Sequence, residues 1–138
     1  MEIMSMNLDR YVDVENFLKS VPGIKIDVDV VMNASLLINE GEITGIISFE
    51  CFGTTGLIRY FIFKKMIDEE TLEKLFNNLL ITAKAKDLSK IIAFVSNEET
   101  IPIFSFLGFT EVDKKQVYIE EKKYDKNALT SIYQYEIK

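Results

Sequence analysis

The sequence predicts an α/β protein, and three observations carry that reading. Three apolar runs between Ala34 and Lys65 follow one another through short glycine-bearing turns, the pattern of an antiparallel meander. A long amphipathic segment, Asp68 to Lys86, comes next. Ile91 to Val95 is then a continuous apolar run that reads as a strand buried on both faces. It leads through Ser96-Asn97 into a helix closed by Gly108.

In chain order, Glu2 to Leu8 is short and apolar-rich and reads as an edge strand. Asp9 follows as a cap for an amphipathic helix through Tyr11, Val14, Phe17, Leu18 and Val21, which Pro22-Gly23 ends. Ile24, Ile26, Val28 and Val30 alternate with Lys25, Asp27 and Asp29, which predicts a half-buried strand. Ala34 to Ile38 and Ile43 to Phe52 form a hairpin through Asn39-Glu40-Gly41-Glu42. Gly53-Thr54-Thr55-Gly56 then turns the chain into a third run, Leu57 to Lys65.

The helix from Asp68 to Lys86 carries Leu72, Leu75, Phe76, Leu79, Leu80 and Ala83 on one face, with carboxylates at its start to suit the helix dipole. Glu98 to Leu107 is the second strong helix, with Pro102 in its first turn and an apolar stripe that includes Phe104 and Leu107. Gly108 supplies the positive φ of a helix end, and Phe109 folds back onto the stripe. Beyond it, Val112, Val117 to Ile119 and Ser131 to Ile137 read as strand, Glu120 to Lys126 as a solvated charged stretch, and Tyr124 to Thr130 as irregular.

The bulk numbers bound the function. With 138 residues, 48% of them apolar, the expectation is a single domain, 1–138, with a real core. A net charge of −6 and the lack of a basic run argue against nucleic acid as a partner. No apolar run is long enough to span a bilayer and the first residues do not resemble a signal peptide, so the chain reads as cytoplasmic. Cys51 stands alone, and a small core residue is the expected role. The absence of histidine removes His-based triads, His zinc sites and the usual near-neutral base; no metal is expected.

The register Asn97, Thr100, Phe104 and Gly108-Phe109, set on a strand and the helix after it, resembles the second half of the GNAT (GCN5-related) N-acetyltransferases. That resemblance implies a mixed, mostly antiparallel sheet flanked by helices on both faces, with central strands splayed near Asn97. It also implies acetyl-coenzyme A as donor and an amine, on a small molecule or a protein, as acceptor. Family members bind the cofactor at the turn after the fourth strand, so Ile62, Phe63 and Lys64 become candidates for holding the pantetheine and acetyl carbonyl. Asn97 would bridge the parting strands or contact the pantetheine arm, and serves structure equally well as a cap for the following helix; Phe104 stands where the family has its thiolate-protonating Tyr, keeping the ring without the hydroxyl.

Two features depart from the family. Ile67 to Leu72 should be a glycine-rich pyrophosphate cradle but reads Ile67-Asp68-Glu69-Glu70-Thr71-Leu72, with three carboxylates where a diphosphate would dock. Lys64 and Lys65 would offset part of that repulsion. Glu50, in the second run, is the candidate general base, and Phe49, Cys51 and Phe52 would raise its pKa if they buried it. Arg59 and Tyr60 should face opposite sides of their strand. The C-terminal tyrosines read first as sheet packing and second as an acceptor-site lining. Two functions follow: an N-acetyltransferase with a divergent donor site, or a catalytically inactive binding or regulatory protein on the same scaffold. An uncovered strand edge at either terminus would permit a homodimer.

Overall fold

The structure, a computed structural model, describes residues 1–113 and 131–138. The expected strand at Val117 to Ile119, the charged stretch and the irregular segment lie outside those residues.

Seven strands form one sheet: β1 (Glu2–Ser5), β2 (Ser35–Asn39), β3 (Glu42–Phe52), β4 (Thr55–Phe63), β5 (Lys90–Val95), β6 (Thr110–Val112) and β7 (Ser131–Glu136). Their spatial order is β1-β2-β3-β4-β5-β7-β6. Every neighbouring pair is antiparallel except β4 and β5. The meander is therefore β2-β3-β4. Its first turn is Glu40-Gly41, with φ of 52° and 80°, the left-handed pair that a two-residue hairpin requires.

Helices α1 (Tyr11–Lys19), α2 (Val28–Val31), α3 (Glu69–Ala85) and α4 (Ile101–Leu107) cover the two faces. Strand alternation divides the core between them. Leu37, Ile47, Phe49, Ile91 and Ala93 pack with Leu75, Leu79 and Phe104 of α3 and α4. Leu36, Ile38, Ile46 and Tyr60 pack on the other face with Val14, Leu18 and Val31 of α1 and α2. Phe109 is buried and lies against Phe104 and Phe76, with ring centroids 5.3 and 5.5 Å apart, and Gly108 holds φ 100° as the α4 cap.

Three expectations are corrected. The strand expected at Ile24 to Val30 is an extended stretch running into α2: the Asp27 side chain accepts from the Asp29 N–H and starts a helix where alternation predicted more strand. The stretch is held by one side chain, because the Tyr60 hydroxyl donates to the Lys25 carbonyl (2.7 Å) and accepts from the Asp27 N–H (3.0 Å). Asp9 does not cap α1; it lies inside a 3-10 turn, Leu8–Arg10, that feeds the helix directly. Cys51 is exposed rather than core, since the residue paired with it across the ladder is Gly56, which has no side chain to cover it.

Candidate functional site

The sheet parts in its middle. β4 and β5 pair only at Thr55↔Lys90, Gly56↔Ile91 and Leu57↔Ile92. Beyond that point β4 runs on to Phe63 against β3, and β5 runs on to Val95 against β7. Past Leu57, Ile58 and Tyr60 to Phe63 thus present the edge that faces β5 without a ladder partner among the described residues. Edge backbone groups need partners, so this gap is the polar feature about which a site is built.

A register shift sits beside the gap. Ser48 pairs with Tyr60 but Phe49 pairs with Ile58, so Arg59 is the extra residue of a β-bulge. The bulge corrects the expectation that Arg59 and Tyr60 face opposite sides. Glu50 shares the α1/α2 face with Ile46 by alternation, Tyr60 is buried on that face, and Arg59 forms an ion pair with Glu50 there. Glu50 pairs across the ladder with Leu57, the last β4 residue bonded to β5, which puts the Glu50–Arg59 pair beside the point of parting. The surrounding aromatics do not bury it: its side chain is 26% exposed.

On the opposite face, a groove of about 300 Å³ runs between the end of β4, the start of α3 and α4. Phe61, Phe63, Met66, Ile67, Ile103 and Phe106 supply apolar wall, with Lys65 and Glu69 the charged groups on it. Phe63 can lie flat over β3 because its ladder partner is Gly45; a Cβ there would sit 2.6 Å from the Phe63 ring. Phe104 forms the floor behind Phe61, their rings 5.2 Å apart, and is 6% exposed.

The other candidates scatter around this groove. Ile62 packs on the α1/α2 face, away from the groove. Lys64 also turns to that side, its ammonium 5.3 Å above the Phe17 ring in a polar hollow with Asp13 and Glu42. Its charge therefore does not offset the carboxylates at the start of α3. Asn97, exposed at the top of β5, spends its side chain as a helix cap, accepting from the Glu99 N–H at 3.0 Å. Of the expected donor-site residues the fold thus gathers Phe63 and Phe104. Glu50, the expected base, lies at the parting of the strands; Phe61, Phe106 and the pairing of Glu50 with Arg59 are additions, of which alternation from Phe63 could have found Phe61, whereas nothing in sequence marks a bulge.

The expected cradle is closed from within. Asp68 is the N-cap of α3 and accepts from the Thr71 N–H at 2.7 Å. Hydrogen bonds from Thr71, side chain first and backbone second, hold the Asp68 carboxyl below its ordinary 3.8. Glu70 pairs with Lys74 at 3.0 Å along the helix. The Cys51 thiol is pushed up, chiefly by desolvation of its sulfur, which leaves it a poor nucleophile. Among the described residues no group of His, Cys, Asp or Glu could hold a metal, and no helix is long and apolar enough to cross a membrane.

A seven-stranded sheet parted between two parallel neighbours, with two helices on each face, is the acyl-CoA N-acyltransferase (GNAT) fold. Solved structures bear this out. N-acetylglutamate synthase from Neisseria gonorrhoeae, complexed with coenzyme A and N-acetyl-glutamate, matches 99% of this chain with TM-score 0.74 and 16% identity. The chain spans 35% of that protein's length. An acetyltransferase of the GNAT family from Staphylococcus aureus matches with TM-score 0.68 and 17% identity over 99% of both chains. Tetrahymena GCN5 matches with TM-score 0.64 and 13% identity over 99% of this chain and 95% of that one. Neither a family model nor a curated protein matches the sequence. The chain is a divergent example of the GNAT fold.

Proposed function

We propose that the protein is an N-acyltransferase that uses an acyl thioester as donor and an amine, on a small molecule or a protein, as acceptor. The parting of β4 from β5 carries this reading. Among the described residues it leaves the β4 backbone from Tyr60 to Phe63 without a strand on that side, where the amide groups of an extended ligand would pair, beside an apolar groove on one face and an ionisable pair on the other. The pantetheine arm of acetyl-coenzyme A fits such a groove, and the thioester supplies the activated acyl group. β4 amides would hold its carbonyl as charge develops on the oxygen.

In the transfer, the amine nitrogen bonds to the acyl carbon, the carbon–sulfur bond breaks and the thiol departs. The amine loses a proton, which Glu50 takes directly or through water. Arg59 orients the Glu50 carboxylate and steadies its charged form. Phe104 has no proton to give, so the departing sulfur is protonated by solvent.

A thermal-shift titration with acetyl-coenzyme A and with S-acetylpantetheine tests the reading. A thioester at a hundred times its dissociation constant should add about 2.7 kcal/mol of stability. Once an acceptor is in hand, Glu50→Gln should lower kcat by roughly a hundredfold while leaving donor affinity unchanged. The second reading, a non-catalytic binding protein, is favoured by the capped α3 start and the missing hydroxyl at Phe104. It stands if neither thioester shifts the melting temperature.

A further inference from the structure

We infer that this chain grips its donor through a neutral pantetheine-type arm alone, so that a nucleotide diphosphate contributes nothing to binding; the inference rests on the acyltransferase reading above. The start of α3 is where a diphosphate leaving the groove would come to rest, and two of its four leading amides are already spent. The Thr71 N–H goes to the Asp68 side chain at 2.7 Å, and the Leu72 N–H goes to the Asp68 carbonyl at 3.0 Å. The next amides back along the chain belong to Glu69 and Glu70, which carry carboxylates of their own.

The cations do not reverse the balance. Lys64 is turned to the other face of the sheet, onto Phe17. Lys74 is engaged by Glu70, and Lys65 is left to face Asp68 and Glu69 at the groove mouth. A diphosphate placed there meets net negative charge at short range, in a setting that screens less than bulk water.

The groove suits what remains of the donor. Its volume of about 300 Å³ is at the low end of the range of small-ligand sites, and Phe61, Phe63, Met66 and Phe106 give it an apolar lining. The open β4 edge supplies the polar partners that the amides of an uncharged arm require. Such a donor belongs to the class of pantetheine thioesters without an attached adenosine diphosphate.

Isothermal titration of the intact protein with S-acetylpantetheine and with acetyl-coenzyme A, at about 0.05 and 0.5 M salt, tests this. The expected result is dissociation constants within roughly threefold of each other, with coenzyme A binding unchanged or tighter as salt rises. A coenzyme A thioester bound about tenfold or more tightly, and weakened by salt, would overturn the inference and leave the acyltransferase reading intact. Failure of both ligands to bind at roughly millimolar concentration would remove that reading, and this one with it. In the triple variant Asp68→Ser, Glu69→Gln and Glu70→Gln, where serine keeps a cap, affinity for coenzyme A alone should rise. An equal change for both ligands would count against the charge argument.

Discussion

Tyr60 and Ser48 are ladder partners on one face of the sheet, yet their hydroxyls have opposite fates. Tyr60 is 5% exposed and its oxygen both donates and accepts, tying the stretch before α2 to the middle of β4. Burial, as the largest cause, raises its pKa above the ordinary 10.0. A raised value means that the folded state holds the proton more tightly, so this contribution is complete below pH 10 and fades as pH climbs through the folded value. Tyr60→Phe removes both bonds that tie this stretch to β4; we expect a loss of about 1–3 kcal/mol by denaturant unfolding. Ser48 is fully buried and its Oγ has no hydrogen-bond partner among the described residues. Ser48→Ala should therefore leave stability unchanged or raise it slightly, and a loss beyond about 1 kcal/mol would mean that the hydroxyl finds a partner in solution. Neither role could be read from sequence, because the alternation that predicts a strand says nothing about what a hydroxyl meets across it.

Among the elements, α3 was the most legible, and the reason is physical. Its apolar face and its capping carboxylate are local patterns, and the helix runs from Glu69 to Ala85 with Asp68 as N-cap. The Asp68 side chain holds the first turn through the Thr71 N–H, so Asp68→Ala should lower the melting temperature at neutral pH. The sign is fixed by the depressed carboxyl: its contribution is present above the ordinary 3.8 and is lost as pH falls through the folded value, so mutant and wild type should converge below pH 3.8. Curves that stay parallel through that range would rule out the cap as the cause. Leu72, within the stretch expected as a glycine-rich cradle, is 7% exposed in the main core, so Leu72→Gly would open a cavity before it opened a cradle. Ile24 to Val30 misled for the converse reason: its alternation is real, but the hydrogen bonds that decide between strand and helix come from Asp27 and from Tyr60, which lies 33 residues beyond it in the chain.

For the whole molecule, the meander, the crossover through α3 and the Gly108 cap were legible, and together they imply the order of the sheet. The parting of β4 from β5 entered only through family resemblance, since no local pattern records where two parallel strands cease to bond. The bulge at Arg59 and the turning away of Lys64 were hidden for the same reason: each depends on register between strands. The parting has a consequence that hydrogen exchange can read. Amides in β4 that point to β3 are tied into a ladder, whereas those from Tyr60 to Phe63 that point to β5 have no ladder bond among the described residues. Protection should therefore alternate along β4 beyond Leu57 and be continuous from Thr55 to Leu57, where both neighbours bond. If the groove receives an acyl thioester, the weakly protected amides should slow on its addition, while those of β2 and β7, far from the gap, should not change. Uniform protection along β4 in the free protein would mean that the two strands close in solution, leaving no edge for a donor to bind.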